Sequence, residues 1–233
     1  MDNYNVKYYK YDQNKFPFSE IVKGIYKTND LSEIHHLIDN LSNKNLFTNQ
    51  NDDTTLIHSI FYKKLNSGWK EFTSLYYDFI KMIMEDVYKE KSIIYQASPT
   101  FRVQLPNNIA VGGNKKDLPE RYGWHKDTDE EYNHPNFEQN FILPLTNSSD
   151  TASVYIETYP NSDEFVPAKM KVGEFFQFNG GECIHGNKPN ETGKSRVSLD
   201  FRLVSSNDYN EVYSKSSRLT SKKFVVGGYY NKI

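Results

Sequence analysis

The chain has 233 residues, of which 37% are hydrophobic and 25% charged, and its net charge at pH 7 is −2. This composition predicts one compact domain with a buried core, and the absence of a basic stripe argues against nucleic acid binding. The apolar stretches are short and interrupted by charges, so no membrane-spanning helix is expected.

The first part of the chain is predicted to be mainly helical. Residues 1–28 have only weak alternation and are predicted to form an irregular arm with one candidate strand. Apolar residues at helical spacing predict an amphipathic helix over 31–43, and a second helix is expected over 54–64. A longer apolar stripe over 69–87 predicts a third helix of about five turns.

Beyond residue 99 the hydrophobic period changes from helical to two, which is typical of strands. Turn-rich segments without helices separate the strands, so the pattern predicts an antiparallel sandwich or jelly roll. The predicted strands are 101–105, 140–145, 152–158, 171–178, 182–185 and 194–204.

Helices followed by a sheet indicate an α+β fold that is mainly β, with the helices buttressing one outer face. No linker divides the chain, so we expect a single domain over 1–233. Within it, residues 1–95 form a helical N-terminal part, 96–205 the sheet core and 206–233 a C-terminal segment.

Three residues form a candidate metal site. His125 and Asp127 are two positions apart, and alternate side chains of a strand point to the same face, so both can contact one ion while Lys126 points away. His185 lies near the end of a later predicted strand. Two histidines and one carboxylate are the ligand set of mononuclear non-haem iron(II) centres.

Arg196 and Ser198 are candidates for binding an anion beside that metal. If the chain folds as a symmetric hairpin about Asn190–Glu191, His185 lies opposite Arg196, with Cβ atoms about 4.5–5.5 Å apart, and Ser198 shares that face. Three protein ligands leave three metal positions, enough for a chelating 2-oxo acid and O2. An arginine fork suits the far carboxylate of a dicarboxylic oxo acid.

The stretch from Phe101 to Leu203 resembles the Fe(II)/2-oxoglutarate-dependent dioxygenase superfamily. The order His-x-Asp, distal His, then Arg eleven residues later is similar to its phytanoyl-CoA hydroxylase-like branch. Several phrases look closer still to a small oxygenase-like subgroup from streptomycin biosynthesis. These phrases are residues 101–106, 140–146, 185–187 and 196–202.

The resemblance implies a double-stranded β-helix, or jelly roll, with Fe(II) held by His125, Asp127 and His185. It also implies that 2-oxoglutarate and O2 are co-substrates, and that Arg196 and Ser198 bind the distal carboxylate of 2-oxoglutarate. Because Asp127 is present, the halogenase variant of the family is disfavoured. The segment Gly112–Arg121 departs from the family pattern and is predicted to be a mobile loop or lid.

Four residues on predicted strands are substrate-pocket candidates. Arg102 and Gln104 share one strand face. If that face is inward, they bind a polar or anionic substrate or the C1 end of 2-oxoglutarate, and if it is outward they are a solvated pair. Asn140 and Tyr155 lie on core strands and are expected to line the pocket.

Arg202 has the same strand parity as Arg196, so it is either a second anion site at the mouth of the barrel or an ion-pair partner of Asp200 or Glu157. His134 follows the metal motif in a turn and is expected not to be a fourth ligand. Cys183 is the chain's one cysteine, which excludes an internal disulfide, and it is expected to be a small buried hydrophobe.

The sequence therefore predicts an oxygenase that hydroxylates a small polar metabolite, such as an amino acid or sugar derivative, and releases succinate and CO2. Desaturation, epimerisation and ring formation would use the same residues. The alternative is a cupin-like sugar-binding or isomerase domain without oxygen chemistry, which would not need Arg196 or Ser198.

The expected partner is the small-molecule substrate alone, with no nucleic acid and no membrane, and the sequence does not indicate an oligomeric state. The first five residues form no apolar signal segment, and the cysteine content is typical of a reducing compartment, so a cytoplasmic location is expected. The segment 223–230 is open to three interpretations: an edge strand, a lid or a dimer contact.

Overall fold

The computed structural model describes residues 5–37, 55–110, 121, 123–213, 215–217 and 221–233. The helices are α1 (Phe18–Tyr26), α2 (Leu56–Asn66) and α3 (Lys70–Ile83), with a 3-10 helix over Leu31–Leu37 and a π-helical turn over Met84–Tyr88. The strands are β1 (Lys7–Lys10), β2 (Ile93–Gln96), β3 (Thr100–Gln104), β4 (Gln139–Pro144), β5 (Val154–Glu157), β6 (Phe165–Ala168), β7 (Glu174–Phe178), β8 (His185–Asn187), β9 (Arg196–Ser205) and β10 (Tyr230–Lys232).

The N-terminal arm is more regular than predicted, because it contains α1 as well as β1. Phe18, Val22 and Tyr26 recur every fourth residue and are buried on one face of α1. The helix starts directly after Pro17 and ends at Lys27, whose φ of 52° is left-handed. The predicted irregular structure over 1–28 is therefore wrong for this segment.

The structure has a helix at each of the other predicted positions, but the helices begin and end at different residues from those predicted. The predicted helix over 31–43 is a 3-10 helix as far as Leu37, and its remainder lies outside the described residues. Helix α2 begins after Thr55, whose hydroxyl accepts a hydrogen bond from the His58 backbone N–H. The long third helix is α3, with the π-helical turn continuing it to Tyr88.

Each of the six predicted strands overlaps an observed one. Three observed strands, β2, β6 and β10, were not among the predicted strands. Strand β2 is a short continuous apolar run, which alternation does not reveal. Strand β6 contains Pro167, which is tolerated because β6 is at the edge of its sheet. Strand β10 pairs with β2, so the end of the C-terminal segment is an edge strand.

The described strands form two antiparallel sheets. The larger has seven strands in the order β1-β7-β4-β9-β2-β10, with β3 also paired to β9, and the smaller has the order β6-β5-β8. The helices cover one face of the larger sheet, where Tyr76 of α3 lies 5.7 Å from Phe201 of β9 between ring centroids. The predicted β-rich architecture, with N-terminal helices on one face, is therefore confirmed.

The second face of the larger sheet packs on the smaller sheet. Residues of β9 alternate between the two faces, so Val197 and Leu199 pack towards the helices while Arg196 and Ser198 point towards the smaller sheet. An apolar cluster joins the two sheets. It consists of Ile142, Val154, Ile156, Ala168, Met170, Phe176 and Phe178.

The predicted hairpin between His185 and Arg196 is wrong. Strand β8 pairs with β5 in the smaller sheet, whereas β9 pairs with β3 and β4 in the larger one. The connecting loop bonds elsewhere, because the backbone of Asn190 exchanges hydrogen bonds with Asn107 and Asn108 at 2.7 and 3.0 Å. The chain thus crosses between the sheets and brings the two residues to opposite walls of one cavity.

No helix among the described residues has both the length and the apolar character needed to cross a membrane.

Candidate functional site

The three predicted metal ligands converge between the sheets. Asp127 Oδ1 lies 3.5 Å from His125 Nε2 and 3.7 Å from His185 Nε2, and the three ligand atoms are all within 4.8 Å of one another. The histidine backbones form a single antiparallel bridge, and the Asp127 N–H donates to the Gly180 carbonyl at 2.8 Å. This arrangement suits one transition-metal ion with open coordination positions.

Both histidines direct their Nε2 atoms to this point. His125 Nδ1 is 2.7 Å from the Gly123 carbonyl, and His185 Nδ1 is 3.2 Å from the Cys183 carbonyl. Because a carbonyl oxygen can only accept, each Nδ1 carries a proton, which makes Nε2 the ring atom of each histidine for a metal. Burial lowers the pKa of His185 to about 4, with help from His125, so this ring is neutral near pH 7.

Asp127 is oriented by donors on one of its two oxygens. Oδ2 accepts from Asn140 Nδ2 at 2.6 Å and from Arg202 Nη2 and Nε at 2.7 and 3.1 Å. Burial alone would raise the pKa of the Asp127 carboxyl, but the Arg202 charge outweighs it and holds this pKa well below its usual range. The carboxylate is therefore charged, and its Oδ1 points to the histidines.

Arg196 lies in the same cavity with unused donors. It is 2% exposed, and its Nη2 is 3.5 Å from Asn187 Oδ1. Among the described residues, its Nε and Nη1 have no hydrogen-bond partner. Burial lowers the pKa of Arg196 to about 10, so it is still protonated at neutral pH. Buried unpaired donors are costly, and a carboxylate on either bidentate edge of this guanidinium would accept from one of them together with Nη2.

The cavity walls combine charged and apolar side chains from the two sheets. Asp200 is a lining residue that the sequence suggested only as a partner of Arg202, although its parity with Arg196 on the strand places it on the same face. The lining includes His125, Asp127, His185, Arg196, Arg102, Asn140, Asp200 and Arg202, and the apolar Ile142, Val154 and Phe178.

Arg102, Ser198 and Asp200 form a hydrogen-bonded group on the larger sheet. Arg102 Nε donates to Asp200 Oδ2 at 3.3 Å, and Ser198 Oγ donates to Asp200 Oδ1 at 2.8 Å. Strand β3 therefore turns its Arg102 face inward. Ser198 lies beside Arg196 on β9, as its parity required, with its hydroxyl proton directed to Asp200.

Gln104 and Tyr155 do not contribute to the lining. Gln104 faces inward and is fully buried, but its Nε2 donates to the carbonyls of Asn108 and Lys188 at 3.1 and 2.7 Å, so it ties two loops together. Tyr155 is paired with Gly186 on the outer face of the smaller sheet. Strand alternation turns its neighbours Val154 and Ile156 inward and Tyr155 away from the cavity.

Arg202 has partners that the sequence did not suggest. Besides Asp127, its Nε lies 3.3 Å from Glu138 Oε2, and its Nη1 donates to the Tyr229 hydroxyl at 3.2 Å. The predicted pairing with Asp200 or Glu157 is replaced by these contacts. No local spacing links Glu138 or Tyr229 to Arg202, because only tertiary packing brings them beside it.

Two further candidates from the sequence, His134 and Cys183, are buried in the fold. His134 is buried, and its Nδ1 lies 2.7 Å from Glu138 Oε2. It is not part of a metal-ligand group among the described residues. Cys183 is 1% exposed, and burial raises the pKa of its thiol to about 11, which keeps it protonated.

No protein-family model matches the chain. The chain is similar to the streptomycin biosynthesis protein StrG of Streptomyces griseus, with 27% identity over 224 residues covering 96% of each chain. The predicted resemblance to a protein of streptomycin biosynthesis is thus confirmed.

Solved structures of oxygenases and related proteins show weaker likeness. AviO1 from Streptomyces viridochromogenes has 11% identity and a TM-score of 0.43, over 87% of this chain and 90% of that one. A prolyl-4-hydroxylase from Pseudomonas putida has 11% identity and a TM-score of 0.40, over 86% and 92%. A 2OG-Fe(II) oxygenase family member from Burkholderia pseudomallei has 12% identity and a TM-score of 0.37, over 69% and 60%.

Proposed function

We propose that this protein is an Fe(II)- and 2-oxoglutarate-dependent oxygenase. The observation that carries the proposal is the presence in one cavity of a His/Asp/His triad and of Arg196, whose buried Nε and Nη1 have no partner among the described residues. Bound there, Fe(II) with 2-oxoglutarate and O2 would supply the oxidising chemistry that hydroxylates a C–H bond and releases succinate and CO2.

Different residues would bind the metal and the co-substrate. His125 and His185 would hold the metal through Nε2, and Asp127 would hold it through Oδ1, the oxygen without a donor from Arg202 or Asn140. Arg196 would bind the distal carboxylate of the co-substrate through its fork and so orient the 2-oxo acid end towards the metal. This division fits a cavity whose two walls carry the two groups.

We further propose that the two sheets are the halves of a double-stranded β-helix, or jelly roll, within a single domain over 1–233. The apolar cluster between the sheets and the crossing of the chain from β8 to β9 support this interpretation. A cytoplasmic location is part of the same proposal, in keeping with the single buried cysteine.

The proposed substrate is a small polar metabolite, such as an amino acid or sugar derivative. Arg102 and Asp200 bring both charge signs to the cavity wall, while Ile142, Val154 and Phe178 supply an apolar surface. Such a wall suits a ligand with polar groups on a compact carbon frame. The similarity to a protein of streptomycin biosynthesis supports a small-metabolite substrate.

The test is an anaerobic titration of Fe(II) and 2-oxoglutarate into apoprotein, followed by visible absorption. We expect a weak charge-transfer band from the chelated metal, and its loss in His185→Ala, because one of three ligands is removed. His36→Ala is the matched control: this exposed histidine belongs to the Glu33–His35–His36 cluster, a second group able to hold a metal. It should keep the band.

Metal binding without a charge-transfer band would contradict the oxygenase proposal. That result would instead favour the cupin-like sugar-binding or isomerase alternative, and sugar binding would be measured next.

A further inference from the structure

Arg202 lies at the centre of a buried charge network behind the metal site. Two of its nitrogens donate to Asp127 Oδ2, at 2.7 and 3.1 Å, and its Nη1 donates to the Tyr229 hydroxyl at 3.2 Å. Its Nε is also 3.3 Å from Glu138 Oε2. One guanidinium thus connects a candidate metal ligand, a second buried carboxylate and the C-terminal segment.

Glu138 is fixed from its other side by the C-terminal strand. Glu138 is 2% exposed; the Tyr230 hydroxyl donates to its Oε1, and His134 Nδ1 lies 2.7 Å from its Oε2. Tyr230 is fully buried and belongs to β10, whose backbone pairs with β2 at Gln96. The position of Glu138, and through it that of Arg202, therefore depends on the docking of this edge strand.

The network decides which Asp127 oxygen is available to a metal. Oδ2 accepts three hydrogen bonds, one from Asn140 and two from Arg202, while Oδ1 faces the two histidine Nε2 atoms. A carboxylate saturated on one oxygen presents the other as a single-atom ligand. Partners of this kind fix ligand orientation, and losing them typically costs about 10- to 100-fold in metal affinity.

We propose that Arg202 is a positioning residue of the metal centre, and that Tyr229 and Tyr230 of the C-terminal segment hold it in place. This inference rests on the proposed function, since it concerns the same metal. It replaces the expectation that Arg202 is an anion site for the substrate, because the guanidinium is directed at Asp127. Residues near the end of the chain thereby set the affinity for a metal held between the sheets.

The experiment is a titration of Co(II), followed by its visible absorption, into apoprotein of the full chain and five variants. Arg202→Gln should weaken Co(II) affinity about 10- to 100-fold and change the band shape, because Asp127 loses its two-point clamp. Arg202→Lys keeps the charge but not the fork, so its loss should be intermediate. Tyr230→Phe should show a smaller loss in the same direction.

Tyr209→Phe is the matched control. It removes a hydroxyl from the same aromatic cluster, since the ring centroids of Tyr209 and Tyr230 are 6.1 Å apart. The Tyr209 hydroxyl accepts from the Val226 backbone N–H and does not bond Glu138. Co(II) affinity and band shape should stay as in the wild type. The double variant Arg202→Lys with Tyr230→Phe should bind about as Arg202→Lys does, because both changes act on one clamp.

Folded Arg202→Lys and Tyr230→Phe proteins with wild-type Co(II) affinity and band shape would overturn the inference. These two variants decide the outcome if Arg202→Gln leaves two buried carboxylates unpaired and does not fold. A wild-type protein that binds Co(II) at His125, Asp127 and His185 but gives no charge-transfer band with Fe(II) and 2-oxoglutarate would contradict the proposed function and leave the role of Arg202 standing.

Discussion

The two walls of the cavity differ in whether their polar atoms have hydrogen-bond partners within the protein. On the metal side, the Nδ1 atoms of His125 and His185 and the Oδ2 of Asp127 all have hydrogen-bond partners within the chain. On the opposite side, Arg196 Nε and Nη1 have none among the described residues.

This difference separates two ways of building a binding site. The proposed metal ligands are oriented in advance by their own neighbours, which favours tight binding of a small ion. Arg196 instead carries a desolvation cost that an anionic ligand would relieve, which favours selective binding of a carboxylate. Changes on the two walls should therefore affect different ligands.

Among the changes that compare the two walls, the largest effect is expected for Arg196→Lys. Lysine keeps the positive charge but not the two-pronged fork, and a hydrogen bond to a charged group is worth about 1.5–3 kcal/mol. We expect the affinity for 2-oxoglutarate to fall about 10- to 100-fold, measured by anaerobic titration of the Fe(II) protein. The Co(II) affinity should remain that of the wild type.

A parallel loss of Co(II) affinity in Arg196→Lys would contradict the separation of the two walls. It would mean that Arg196 supports the metal ligands across the cavity rather than the co-substrate.

The sequence predicted the two groups of side chains but not their surroundings. Strand alternation placed His125 with Asp127, and Arg196 with Ser198, and the structure has each pair side by side. The predicted hairpin between His185 and Arg196 is not formed. The 188–195 loop instead takes its conformation from hydrogen bonds to a distant turn at Asn107 and Asn108.

Arg202 shows the same limit at the level of one side chain. Its parity on β9 was visible in the sequence and placed it correctly on the cavity face. Its partners Glu138 and Tyr229 come from a loop and the C-terminal segment, and only tertiary packing brings them together. Periodicity thus predicts which face a residue occupies, whereas the choice among charged partners depends on contacts that no local spacing encodes.

An intermediate effect is expected for Gly180→Ala, which tests the support of Asp127. A Cβ at Gly180 would lie 2.8 Å from both terminal atoms of the Asn140 amide, so this amide would have to leave Asp127 Oδ2. We expect Co(II) affinity to fall about 10-fold, the lower end of the range for lost outer partners of a metal ligand. The 2-oxoglutarate affinity of the metal-saturated protein should change little.

Gly181→Ala is the matched control for this change. A Cβ at Gly181 would meet Thr128 Cγ2 at 3.3 Å and Asn179 Oδ1 at 3.4 Å, and it does not reach Asn140. Its Co(II) affinity should equal that of the wild type; equal losses in both variants would show that the loop, rather than the Asn140 amide, is responsible.

The smallest effect is expected for Ser198→Ala. A hydroxyl has one proton, and that of Ser198 is donated to Asp200 Oδ1 at 2.8 Å, so it is not also available to a carboxylate at Arg196. We expect the 2-oxoglutarate affinity to stay within about 3-fold of the wild type, less than the value of one ordinary hydrogen bond. A loss as large as that of Arg196→Lys in the same titration would mean that the hydroxyl turns from Asp200 to the co-substrate. Arg102 also donates to the Asp200 carboxylate. If the Ser198 hydroxyl rotated away, Arg102 would be the donor left to Asp200 among the described hydrogen bonds. Ser198 would then link co-substrate binding to the substrate wall.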